Sequence, residues 1–100
     1  MAWSDLIKQL TAGFDLHTNR DKKHGPVYHD GRPIAEVQLL EYGTERIWLK
    51  EANAASGLFT LTRSSTWKGG YCVVTKETVG ACRRALTLAA AESPPRRQIA

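Results

Sequence analysis

Apolar residues recur along this chain at two periods, one helical and one stranded, and the change of period divides it into helical ends and a sheet-forming middle. Trp3, Leu6, Ile7, Leu10 and Phe14 follow the i, i+3, i+4, i+7 spacing of an amphipathic helix. Ser4 is placed to N-cap it, Asp5 suits its positive end, and Gly13 suits its termination. At the other end Val79, Cys82, Leu86 and Ala89 form one helical stripe behind Thr75, a second N-cap, with Glu77 in the first turn. Ser93-Pro94-Pro95 ends that helix.

Between these ends the period shortens to two. Strands are expected at residues 34–42, 46–51, 58–63 and 71–74. Ile47 and Leu49 alternate with Arg46, Trp48 and Lys50, so the two sets occupy opposite faces. Phe59 and Leu61 are expected to join the apolar side, leaving Thr60 and Thr62 beside Trp48 where the second and third of these strands pair. Residues 15–26 are polar and aperiodic and read as a loop. Asp30-Gly31 between short β-prone segments signals a further hairpin, and Pro33 belongs at an edge or a strand start. The expected fold is α+β: an antiparallel sheet of four to five strands flanked by an N-terminal and a C-terminal helix. Residues 1–92 make one domain and 93–100 a flexible tail.

Composition narrows the class. With 100 residues, 42% hydrophobic and 24% charged, the chain has the make-up of a globular domain and not of a disordered one. The first residues lack a basic segment followed by an apolar run, and no stretch approaches the ~20 apolar residues of a membrane span. A cytoplasmic protein without membrane contact is expected. Cys72 and Cys82 are too far apart for a paired-cysteine metal or redox motif, and two buried reduced thiols are the simpler expectation.

Net charge is +4, with the excess concentrated in residues 76–100. The expected sheet is neutral overall, so an acidic partner is permitted but not demanded. His17, His24, His29 and Asp30 are the only catalytic temptation. They fall in a turn-rich segment without the spacing of a metal site or a second carboxylate group, and solvated histidine is the simpler reading. Ser64 and Ser65 lack a nucleophile motif, and Lys68-Gly69-Gly70 lacks phosphate-loop spacing. The expectation is a protein that is not an enzyme and uses no cofactor or metal.

The most informative feature is the face that carries Trp48. A tryptophan sharing a sheet face with Arg46 and Lys50 is suited to stack a base while the cations meet phosphates. Trp67, Lys68 and Tyr71 are expected at the rim beside Gly69-Gly70, with Arg63 near them. The run from Glu45 to Ala91 reads as strand, loop, Gly-x-Phe strand, polar turn, Lys-Gly-Gly, strand and capped helix. It resembles the β4α unit of the PUR, Whirly and positive-cofactor-four group of single-stranded nucleic-acid-binding proteins. The carrying residues are Arg46-Ile47-Trp48-Leu49-Lys50, Gly57 through Arg63, Lys68-Gly69-Gly70 and the helix from Lys76-Glu77. The resemblance implies a dimer whose helices pack together while the sheet faces hold an unwound strand.

The leading expectation is therefore single-stranded nucleic-acid binding through Arg46, Trp48, Lys50, Arg63, Trp67, Lys68 and Tyr71. Lys76, Arg83 and Arg84 on the last helix are candidate contacts for phosphates or an acidic partner. The alternative is a protein-interaction module, such as a small regulator or a phage-type inhibitor, that docks on a larger nucleoprotein complex. A homodimer is compatible with either.

Overall fold

Ser4 starts the first helix by accepting a hydrogen bond from the Ile7 N–H at 3.4 Å, which satisfies one donor of the free N-terminal turn. That helix, α1 (Asp5–Leu10), buries Ile7 and Leu10. A computed structural model describes residues 3–50, 57–63 and 68–92 of the chain. Six strands follow α1: β1 (Asp15–Leu16), β2 (His24–His29), β3 (Arg32–Leu39), β4 (Glu45–Lys50), β5 (Thr60–Arg63) and β6 (Lys68–Val73). The chain closes with helix α2 (Val79–Glu92).

All pairings are antiparallel, in the order β1-β2-β3-β4-β6-β5. The polar segment at residues 15–26, expected as a loop, contributes β1 and the start of β2. Their side chains give no alternating signal because Gly25 and Pro26 interrupt it. A hairpin turn at Asp30-Gly31 joins β2 to β3, with both residues at positive φ (52° and 78°), as a two-residue turn matched to strand twist requires. Pro33 lies inside β3 beside a register shift opposite Val27 and Tyr28, where the extra residue is Ile34.

The expected pairing of the strands around Trp48 and Thr60 is corrected. β6 inserts between β4 and β5, so β4 and β5 run parallel on either side of it. Gly70 explains the fit, since it lies between Leu49 and Leu61 and lets both neighbours approach without side-chain volume.

The core lies on one face of the sheet. Val27, Ala35, Val37, Ile47, Leu49 and Cys72 share that face through the register. They pack with Ile7 and Leu10 of α1 and with Val79, Cys82, Ala85, Leu86 and Ala89 of α2. The sheet is therefore not sandwiched between two helices, because both lie on the same side. The start of α1 is held there by the buried Glu45, whose carboxylate accepts hydrogen bonds from the Ser4 backbone N–H and hydroxyl. Phe59 joins this core, but Leu61 stays 61% exposed on the edge strand, corrected from the expected burial.

Helix α1 is shorter than its apolar stripe, whereas α2 contains all of its own. Thr11 ends α1 by returning its backbone N–H and its hydroxyl to the Ile7 carbonyl, and Phe14 lies beyond the end. Thr75 caps as expected, its hydroxyl accepting from the N–H groups of Glu77 and Thr78, but one turn passes before α2 proper begins at Val79. The proposed tail at residues 93–100 lies outside the described residues.

Candidate nucleic-acid interface

The face opposite the helices is built from the positions that alternate with the core. The register places Pro26, Glu36, Trp48, Tyr71 and Thr60 in one row across the strands. The row on one side holds His24, Gln38, Arg46 and Val73, and the row on the other holds Lys50, Gly69 and Thr62. These rows unite Arg46, Trp48, Lys50 and Tyr71 from the sequence-derived set.

At the centre is a polar-aromatic stack. The Arg46 guanidinium lies 4.5 Å from the Tyr71 ring centroid and 5.1 Å from that of Trp48, and the two rings are 5.2 Å apart. Cations prefer ring faces, so the stack is attractive, and it holds the guanidinium over both rings. Gln38 fixes its position. The Gln38 Oε1 accepts from Arg46 Nε at 2.7 Å and from Trp48 Nε1 at 2.6 Å, while its Nε2 donates to Glu36 Oε1 at 3.2 Å. The sequence reading missed Gln38 and Glu36. The signal was available, since they alternate with Ala35, Val37 and Leu39 and so share Trp48's side.

Trp48 itself is 8% exposed. It is the floor of the stack, with its indole N–H already bonded, rather than a free platform. Tyr71 and Arg46 are half-buried and Lys50 is exposed, so these three reach the surface above it. Arg63 pairs with Lys68 at the sheet end, one residue beyond the row of Lys50, Gly69 and Thr62. Alternation therefore places these two positions on the helix side with Leu61, and not on the face of Trp48 as expected. Trp67 lies outside the described residues. Gly69, at φ 152°, holds a backbone conformation that residues with side chains rarely adopt, and it lies between Lys50 and Thr62 in the register without a side chain of its own.

The helix cations divide. Lys76 and Arg84 are exposed. Arg83 instead reaches across to α1, donating from Nη1 to the carbonyls of Leu10, at 2.9 Å, and Ala12 while its guanidinium lies 4.9 Å from the Phe14 centroid. That arrangement satisfies carbonyls left free at a helix end and places a positive charge at the negative pole of α1.

The histidines stand apart from one another. His24 Nδ1 lies 2.7 Å from Asp21 Oδ2, His17 meets Tyr28 edge-on, and His29 packs near Phe14. Asp21 caps its own loop. The backbone N–H of Lys23, and then the His24 side chain, hold its carboxyl below the usual range. Among the described residues no three His, Cys, Asp or Glu side chains are placed to hold a metal ion. No described helix is long and apolar enough to cross a membrane.

Cys72 and Cys82 are both buried, reduced and in contact across the β6–α2 interface. Burial first, and then the Cys72 thiol as hydrogen-bond partner, push the Cys82 thiol up to about 12.

Comparison with known proteins adds no assignment, since no family model, curated protein or solved structure matches the chain.

Proposed function

We propose that this protein binds single-stranded nucleic acid on the helix-free face of its sheet, without catalysis. The observation that carries the reading is the Arg46 guanidinium held over Tyr71 and Trp48 by Gln38, on a face that neither helix covers. Unstacked bases pack on aromatic rings and on guanidinium planes, and every base offers such a face, so binding of this kind tolerates sequence. Lys50, exposed at the border of the stack, is positioned for a phosphate, and Gly69 opposite it adds no side chain to block approach from that edge. Tyr71 and Arg46 form the contact surface, while Trp48 supports them from below. The neutral balance of the sheet fits modest affinity more than a strong electrostatic footprint.

Fluorescence anisotropy with labelled single-stranded and duplex oligonucleotides across a salt series tests this. Single strands bind at low salt with an affinity that falls as salt rises, and Tyr71→Ala lowers it by the equivalent of about 1–3 kcal/mol. Failure to bind any oligonucleotide at low salt removes the proposal.

A second reading, docking on protein, has one observation of its own. β5 is the sheet's terminal strand and carries Leu61, 61% exposed, on the helix side. An edge strand with an exposed leucine suits strand addition by a second copy of this chain. Light scattering of the wild type and of Leu61→Lys reports on it: a dimer that the substitution dissolves supports this reading, and a monomer in both removes it.

A further inference from the structure

One aromatic side chain outside the stack is held where folding alone does not favour it. Tyr42, at the tip of the hairpin joining β3 to β4, is 100% exposed, and its backbone sits at φ 62°, ψ 23°. In that left-handed region an L-residue's Cβ crowds the following carbonyl, and glycine or asparagine is the usual occupant. Burial of the ring gives no compensation, because the ring is not buried.

Its neighbour across the sheet end is the loop between β1 and β2, tied to the hairpin by the Leu39 N–H donating to the Lys23 carbonyl at 2.8 Å. That loop exposes Arg20, Lys22 and Lys23, and Lys22 also has positive φ, at 59°. The loop's one carboxylate, Asp21, is engaged by the N–H groups of Lys23 and His24 and by the His24 ring, and Arg20, Lys22 and Lys23 outnumber it, so the loop is net cationic. Glu41, beside Tyr42, is the exposed carboxylate of the hairpin tip, set against the loop's three cations. The loop also leads directly onto the candidate face. Lys23 precedes His24, which pairs with Gln38, which pairs with Arg46.

We infer that Tyr42 is a ligand-contacting residue: a bound single strand runs from the Arg46–Tyr71 stack off the sheet end, where a base stacks on Tyr42 and the adjoining phosphates meet Lys22 and Lys23. This rests on the nucleic-acid reading above and adds the direction in which the strand leaves the sheet. It also accounts for a tyrosine at a strained, solvated position, since residues in sparsely populated backbone regions collect at ligand sites. Arg46 lies four positions after Tyr42, at most about 14 Å when extended, so one strand of a few nucleotides touches both.

The test separates binding from folding. Tyr42→Asn places a residue tolerant of the left-handed region at the tip, so Tm holds or rises by a few degrees. Affinity for oligothymidylate at low salt falls about 5- to 150-fold, the equivalent of one lost stacking contact. Tyr42→Phe keeps the ring and stays within about twofold of the wild type. Lys22→Ala combined with Lys23→Ala makes the slope of log affinity against log salt shallower by about 1.4, two phosphates' worth for a single strand. Wild-type protein that binds no oligonucleotide overturns the underlying reading and this inference together. Wild-type binding that Tyr42→Asn and the double lysine variant both leave unchanged overturns this inference alone. A drop in Tm on Tyr42→Asn overturns it as well, because the ring is then holding the fold.

Discussion

Replacing Trp48 with alanine probes the difference between an aromatic that supports a surface and one that forms it. At 8% exposure the indole hides nearly all of its area, about 200 Å² for a side chain of this size. At about 25 cal/mol per Å² that burial contributes about 5 kcal/mol as an upper bound. The lost hydrogen bond to Gln38 adds about 1 kcal/mol, but Arg46 Nε still donates to the same oxygen, so Gln38 is not orphaned. Collapse of Tyr71 and Arg46 into the gap recovers part of the loss, because the site lies on a sheet face and not in the helix-packed core. The expected net cost is about 3–4 kcal/mol, within the range for removing a large buried aromatic and a sizeable share of a domain's total stability. Urea denaturation followed by far-ultraviolet circular dichroism measures it, with an unchanged m-value showing that the midpoint shift reflects stability. Trp48→Phe, which keeps a ring and loses only the donor and some volume, costs about 1–2 kcal/mol. A loss below about 1 kcal/mol for Trp48→Ala refutes the reasoning, since the ring is then exposed in solution.

Three further perturbations test the frame around the site. Gly25→Ala directs a methyl to 2.4 Å from the His17 carbonyl oxygen and 2.9 Å from Leu16 Cδ1, so β1 must shift away from β2; thermal melting registers a loss of about 1–3 kcal/mol. Arg83→Ala frees the Leu10 and Ala12 carbonyls and uncovers Phe14, lowering stability by about 1–2 kcal/mol in urea, and Arg83→Lys restores little because one ammonium lacks the planar fork. Cys82 titrates at about 12 when folded against 9.0 when unfolded. The stabilising effect of its neutral form is complete below pH 9 and is lost as the pH climbs from 9 towards 12. Alkaline melts of the wild type fall more steeply over that window than those of Cys82→Ala, and a thiol reagent at pH 8 labels neither cysteine until the protein unfolds.

Elements whose apolar period is strong were legible in the chain. Ile47 and Leu49 against Arg46, Trp48 and Lys50 defined both faces of β4, and the positive φ values at Asp30-Gly31 follow from that pair's turn chemistry. Other features were not legible, each for a physical reason. β1 and the start of β2 are paired through backbone groups beside Gly25 and Pro26, which leave no alternating pattern. Insertion of β6 between β4 and β5 pairs it with β4 as well as with its sequence neighbour β5, while local alternation reports a strand's faces and not which strands lie beside it. Trp48's burial arises from Arg46, Tyr71 and Gln38 closing over one another, a tertiary effect outside any single strand. Arg83 was equally hidden, because its acceptors lie more than seventy residues away on another helix.

The most direct measurement of the central claim is an amide and indole nuclear magnetic resonance titration with oligothymidylate at low salt. Binding on the helix-free face gives shifts concentrated on Arg46, Lys50, Thr60, Tyr71 and the Trp48 indole N–H, a single signal already bonded to Gln38 at the floor of the stack. The α2 signals from Cys82 to Ala89 stay in place, because they lie on the other side of the sheet. No shifts, or shifts confined to the helix side, contradict it.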